Sequence, residues 1–124
     1  MSIPPVQVCP SFSLQNGGLA HKLPVRHGTG TATAFFIRYE GQAHGYLNVC
    51  PHRGAELDWE NSVFTRAGDL LMCAHHGATF KPDTGECTSG PCRPSRLSSL
   101  RVTEEKRDGQ SVVLWWPEGK TLPL

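Results

Sequence analysis

Short apolar and β-branched runs alternate along this chain with glycine, proline and polar residues. Thirteen glycines and ten prolines fall among 124 residues, so no apolar pattern at helical spacing lasts more than a turn or two. The runs read instead as strands, near Ala20–Arg26, Ala32–Tyr39, Gly45–Val49, Leu70–Met72, Thr79–Lys81, Leu100–Glu104 and Ser111–Trp116. "TATAFFIRY" is the richest in β formers, and the "EGQ" after it supplies a turn. Further turn signals stand at Asp83–Gly85 and Asp108–Gly109. Asn61–Ala67 reads as a short helical turn and the tail after Pro117 as a loose end. The pattern predicts a mostly β, largely antiparallel protein with irregular loops.

Length and charge narrow the function classes. A chain of 124 residues holds one domain with a real core and leaves no room for a second catalytic domain. Twelve Lys and Arg against eleven Asp and Glu give no broad basic field, which argues against nucleic acid as a main partner. The first residues lack a basic cluster followed by an apolar run, and no stretch approaches the roughly 18 apolar residues of a membrane span. The expectation is a cytoplasmic protein with no membrane partner. Five cysteines, Cys9, Cys50, Cys73, Cys87 and Cys92, are an odd number, which favours metal ligands or free thiols over a disulfide framework.

Two stretches concentrate the chemistry. "CPHRGA" begins at Cys50 and "CAHHGATF" at Cys73, so Cys50-x-His52 is followed after 20 residues by Cys73-x-x-His76. Two thiolates and two imidazoles satisfy either a tetrahedral zinc or a [2Fe–2S] cluster with its ligands divided between two irons, and spacing alone leaves both open. Each stretch supplies one Cys and one His, a mixed pairing that suits a two-iron cluster held from two sides. Gly54 and Gly77 let the backbone turn sharply beside a ligand and bring amide N–H groups toward sulfur. His75 repeats the first spacing, Cys73-x-His75, but a neighbour of a ligand on a tight turn points away, so His76 is read as the ligand and His75 as a flank.

With these residues the chain resembles the Rieske iron–sulfur proteins, whose signature is C-x-H followed by C-x-x-H. Cys50, His52, Cys73 and His76 match it, as do "CPHRGA", "HGATF" and a downstream "DTGECTSGPC" similar to the family's third, proline-containing loop. The likeness runs from about Ala20 to Trp116. It implies a Rieske-like fold of small antiparallel sheets with an inserted cluster-binding subdomain, about 44–91, on a base formed by about 6–43 and 92–116. It also implies one [2Fe–2S] cluster, with both cysteines on the inner iron and both histidines on the outer one. Gly90 and Pro91 would shape a cover that keeps water off the inner iron, and electrons would leave by the His52/His76 edge.

The resemblance also separates kinds of Rieske centre. Those of the cytochrome bc complexes add a cysteine to each ligand loop, joined as a disulfide; Ala55 and His75 stand there in this chain. They place a serine and a tyrosine as hydroxyl donors to cluster sulfur; the matching positions are Ala78 and Phe80. Donors to sulfur favour the electron-rich reduced state, so their loss predicts a potential at the low end of the Rieske range, on the order of −150 mV. That suits a soluble one-electron carrier between an NAD(P)H-dependent flavoprotein reductase and a terminal oxygenase or other acceptor. It would not be an enzyme itself, because no chain remains for an oxygenase's two-histidine, one-carboxylate iron site. Alternative readings are a small Rieske subunit of a larger reductase, a redox-sensing module, and a zinc-stabilised binding scaffold.

Other residues have plainer readings. Cys87 and Cys92 flank "TSGP" as a redox pair or local disulfide, or as two small buried apolar side chains, the latter favoured because cytosolic chains rarely keep disulfides. Cys9 reads as an incidental thiol on a mobile N-terminal segment. Trp59 reads as core; Trp115 and Trp116, adjacent on a strand, should face opposite sides. His21, His27 and His44 have no partner at ligand spacing. Arg53, beside a ligand, is a candidate for contacting an acidic partner or damping cluster charge.

Overall fold

A computed structural model describes residues 3–48, 64, 68–72, 79–89 and 96–124. The strands are β1 (Val6–Pro10), β2 (His21–His27), β3 (Gly30–Tyr39), β4 (Gln42–Leu47), β5 (Leu71–Met72), β6 (Thr79–Phe80), β7 (Cys87–Ser89), β8 (Ser99–Arg107), β9 (Gln110–Trp116) and β10 (Thr121–Pro123). A 3-10 turn at Ser11–Ser13 follows β1. Seven strands form one sheet in the order β1-β9-β8-β4-β3-β2-β10, and β5-β6-β7 form a second. Every strand pair is antiparallel. The mostly β expectation holds.

Two hairpins show how sequence sets the frame. Tyr39 pairs with Gln42, and Arg107 with Gln110, so each loop has two residues. Glu40 and Gly41 take φ of 49° and 82°, and Asp108 and Gly109 take 53° and 79°. Positive φ at both central positions twists a hairpin in the sense its strands require, which is why Glu-Gly and Asp-Gly stand there.

Both chain ends depart from the sequence reading. Cys9 lies on β1 rather than on a mobile segment, 6% exposed and packed in a core with Leu14, Val25, Phe36, Val113 and Trp115. The tail after Pro117 is not loose: β10 pairs with β2 from Thr121↔His27 to Pro123↔Val25, and His27 Nδ1 lies 2.9 Å from Thr121 Oγ1. Edge strands of five and three residues, each carrying a proline, give a weak periodic signal and gain their order from sheet pairing. The helical turn anticipated at residues 61–67 and the placement of Trp59 lie outside the described residues.

Arg38 fixes the N-terminal segment to the sheet. Its Nε donates to Leu14 O at 2.7 Å, Nη1 to Gly41 O at 2.9 Å and Nη2 to Ser11 O at 3.0 Å, while both terminal nitrogens donate to the two carboxylate oxygens of Glu104. All five guanidinium protons are used, which lysine cannot reproduce. Arg38→Lys should lower unfolding stability by about 2 kcal/mol, read from denaturant midpoints. The hydrogen bond from Arg38 holds the Glu104 carboxyl below its usual range. Its contribution is present above the unfolded carboxylate value of about 4.3 and is lost as pH falls through the lower folded value. Acid titration of Arg38→Lys should therefore show a shallower loss of stability than the parent, and an equally steep loss would remove Arg38 from the account.

Strand β3 joins the two sheets. Ala34, Phe35, Phe36 and Ile37 are all fully buried, so both faces of the strand are covered. By the period of two, Ala34 and Phe36 enter the core with Cys9, Leu47 and Trp115, while Phe35 and Ile37 enter another with Tyr46, Leu71, Phe80, Cys87 and Leu97. The second core seats the small sheet on the large one. Trp115 is buried and Trp116 is partly exposed, as adjacent strand positions require; Trp116 Nε1 donates to Thr103 Oγ1 at 2.8 Å and Arg101 lies over its ring.

Candidate metal centre

The register of the small sheet decides where the candidate segments leave it. Met72 pairs with Thr79, and Thr79 with Ser89, so the last residue of β5, the first of β6 and the last of β7 lie at one end. Residues 73–78, with Cys73 and His76, connect the first two, and Gly90–Pro91 follow the third. One end of one sheet thus sends out both the second ligand motif and the proline-containing segment. Between β6 and β7, Thr79 and Thr88 hydroxyls lie 2.6 Å apart, and Thr88 Oγ1 also reaches Thr79 O at 3.2 Å.

The opposite end of that sheet is clamped to the base. Residues 81–86 turn between β6 and β7, with Gly85 N donating to Lys81 O at 2.8 Å and Lys81 N to Glu86 O at 2.9 Å. Tyr46, from β4, is 2% exposed and donates its hydroxyl to Pro82 O at 2.7 Å. Burial pushes the Tyr46 phenol far above its usual range, which keeps it the donor at any pH the fold experiences. Gly85 has φ of 76°, and a Cβ there would stand 2.8 Å from Tyr46 Cε1 and 3.3 Å from Leu97 Cβ. Leu97 N in turn donates to Gly85 O at 2.8 Å.

Gly85→Ala should cost about 2–4 kcal/mol, from left-handed backbone strain together with overpacking against Tyr46. Tyr46→Phe should cost about 1–3 kcal/mol by leaving the buried Pro82 carbonyl without its donor. Denaturant unfolding of both variants measures this, and a change within 0.5 kcal/mol in either, the scale of an ordinary surface substitution, would show that the turn is not held as described.

His44 is half-buried in a shallow cavity lined also by Tyr46, Asp83 and Ser99. Burial lowers its pKa and Asp83 opposes that shift. His21 and His27 lie on β2.

Among the residues singled out from the sequence, Cys50, His52, Arg53, Gly54, Cys73, His75, His76, Gly77, Ala78, Gly90 and Pro91 lie outside the described residues. Phe80 is described: it is fully buried and paired with Leu71 and Cys87. Cys87 is disulfide-bonded, against the expectation of a buried thiol. That expectation rested on compartment, whereas Cys87 is 4% exposed within the core, where reductants have little access. Cys9 is free. The sequence reading missed the Tyr46–Pro82–Gly85 clamp; its signal was a tyrosine in an apolar strand and a glycine in a short turn, with nothing local to join them.

The donor set fits a two-iron cluster better than a closed zinc site. Each ligand stretch delivers a soft thiolate with an imidazole, and the second leaves a sheet whose core holds the fully buried side chains of Leu71 and Phe80. An apolar support of this kind would limit water around a cluster held next to it.

Comparison with known proteins agrees. The model of the Rieske [2Fe-2S] domain matches residues 5–102. The oxygenase component of chloroacetanilide N-alkylformylase from Rhizorhabdus wittichii (strain DC-6 / KACC 16600) is 44% identical over 62 residues, 50% of this chain. The chain spans 16% of that relative's length. A chain in a complex of reduced oxygenase and oxidised ferredoxin in carbazole 1,9a-dioxygenase is 26% identical, with a TM-score of 0.64, over 87% of this chain and 90% of that one. The ferredoxin of carbazole 1,9a-dioxygenase from Nocardioides aromaticivorans IC177 is 23% identical, with a TM-score of 0.64, over 94% of this chain and 100% of that one, a likeness of fold. Among the described residues no helix is long and apolar enough to cross a membrane.

Proposed function

Because this chain belongs to the Rieske [2Fe-2S] domain family, which carries one [2Fe–2S] cluster, we propose that it is a one-electron carrier that takes electrons from an NAD(P)H-dependent flavoprotein reductase and delivers them to a terminal oxygenase. The observation that carries this reading is a likeness extending over nearly all of this chain and nearly all of a chain in an oxygenase–ferredoxin complex. The group, when bound, supplies reversible one-electron transfer. Cys50, His52, Cys73 and His76 hold it in this proposal, two thiolates on one iron and two imidazoles on the other.

The rest of the chain positions and shields that set. Tyr46 and Gly85 fix the turn end of the small sheet, so that the opposite end, with Met72, Thr79 and Ser89, is held in register. Leu71 and Phe80 supply the apolar support. Gly54 and Gly77 turn the backbone beside the ligands, Gly90 and Pro91 keep water from the inner iron, and Arg53 meets an acidic partner or offsets negative charge. His75 and Ala78 flank without ligating. In this proposal the cluster-binding subdomain is the segment of about 44–91, on a base of about 6–43 and 92–116. The carrier works in the cytoplasm and catalyses no reaction alone.

Reconstitution tests the proposal. With a flavoprotein reductase, NADH and a ferredoxin-dependent Rieske oxygenase, product formation should require this protein. Unchanged turnover without it would overturn the carrier role. The 62-residue match to an oxygenase component favours a second reading, in which the chain serves as the Rieske portion of an oxygenase. On that reading electrons would enter but would not reach a separate oxygenase.

A further inference from the structure

We propose that a cavity on the outer face of β8 and β9 binds a small monocarboxylate with an apolar body, its carboxylate paired with Arg101 and its body set against Ile3, Trp116 and Leu122. The site stands apart from the carrier role and uses none of the residues assigned to the cluster.

Strand register builds the site. Val102 pairs with Trp115, and both pack into the core of the large sheet. One step along, Arg101 pairs with Trp116, so these two side chains turn to the opposite face. On that face Thr103 Oγ1 accepts from Trp116 Nε1 at 2.8 Å, which fixes the indole, and the Arg101 guanidinium lies 5.4 Å from the ring centroid. Ile3 ahead of β1, Pro117 and Glu118 after β9, and Leu122 of β10 complete the lining of a cavity of about 530 Å³. Ile3 is 37% exposed and Leu122 partly so, which leaves the apolar wall open to a ligand.

Charge selects the class of ligand. Arg101 is exposed, and among the described residues its guanidinium meets the Trp116 ring but no carboxylate; the ion pairs there join Arg38 to Glu104 and Arg107 to Glu105. A planar fork of donors takes a carboxylate through two parallel hydrogen bonds. Its place over the ring already restricts the side chain, which lowers the entropy that binding would cost. Glu118, on the same lining, repels a second negative charge and so favours a monocarboxylate over a dianion. The volume lies within the roughly 300–1,000 Å³ of small-molecule sites, whereas a protein partner covers about 800 Å² of surface.

Two probes distinguish a ring from a chain as the apolar body: 2-naphthoate and octanoate, each with its uncharged amide as the control. The oxidised holoprotein is titrated by calorimetry, and its indole N–H signals, assigned through Trp116→Phe, are followed by NMR. One carboxylate should bind per chain, with the largest indole shift at Trp116, and the tighter of the two probes identifies the body. The amides should bind at least about tenfold more weakly than the acids, and the acids at least about tenfold more weakly to Arg101→Gln, the scale of one hydrogen-bonded charge pair. Glu118→Gln should hold the acids as tightly as the parent or more so. Both substitutions fall on exposed side chains, and the visible spectrum checks that each variant is intact. Acid and amide bound alike, unchanged affinity in Arg101→Gln, or no saturable response at millimolar probe would overturn the proposal. Weaker binding to Glu118→Gln would overturn it as well, because the recognised group would then be a cation.

Discussion

Replacing Cys73 with serine yields a folded β protein that has lost its iron. The expectation follows from how the chain separates support from ligation. The strands of the seven-stranded sheet, whose core holds Cys9, Val25, Phe36, Val113 and Trp115, lie outside the stretches 50–52 and 73–76 that carry the four proposed ligands. The clamp between Tyr46, Pro82 and Gly85 lies at the far end of the small sheet. Removing one thiolate therefore leaves the scaffold's hydrogen bonds in place while opening one iron to water, and clusters with an open thiolate position are lost. Iron should fall from about two per chain to background, with the visible chromophore, while the far-ultraviolet dichroism of the β scaffold persists. His76→Ala should do the same and His75→Ala should not. Full iron in Cys73→Ser, or loss in His75→Ala with retention in His76→Ala, would reassign the ligands.

The second large effect is on potential. The account places the midpoint at the low end of the Rieske range, on the order of −150 mV, because Ala78 and Phe80 cannot donate a hydrogen bond to sulfur. A charge-assisted hydrogen bond is worth roughly 1.5–3 kcal/mol, which for one electron is about 60–130 mV. Phe80 is fully buried, so a hydroxyl placed there must find an acceptor inside the protein. Phe80→Tyr should raise the midpoint by up to that amount, and adding Ala78→Ser should raise it further. A parent midpoint above about +100 mV, well inside the upper Rieske range, would show that other donors or charges control the centre. An unchanged midpoint in the double variant would show that neither position faces sulfur.

The large antiparallel sheet was legible where the sequence carries strong local instructions. "TATAFFIRY" followed by Glu40–Gly41, and "SVVLWW" preceded by Asp108–Gly109, combine β formers with loops that need positive φ, and both become hairpins. Strands β1, β7 and β10 escaped because five-residue and three-residue segments hold too little pattern; they are ordered by partners distant in sequence, as Val6 is by Trp115 and Thr121 by His27. The family signature was legible because iron chemistry demands particular residue types at close spacing, and its four Cys and His residues lie outside the described ones. Its support was not, because Tyr46 meets Pro82 across 36 positions and nothing in "GYL" or "KPDTGE" alone announces the contact. The Cys87 disulfide was missed for a related reason: a compartment rule speaks of average exposure, and this residue is buried.

In the proposed role this chain holds one cluster and moves one electron at a time. A redox titration of the purified protein, followed in the visible spectrum with iron and zinc counted on the same sample, tests it most directly. The account predicts about two irons per chain and a single transition whose slope is close to the one-electron value of about 59 mV per tenfold change in ratio. A colourless protein with one zinc and no transition, prepared so that iron–sulfur loss is excluded, would contradict it and move the four residues to a structural role.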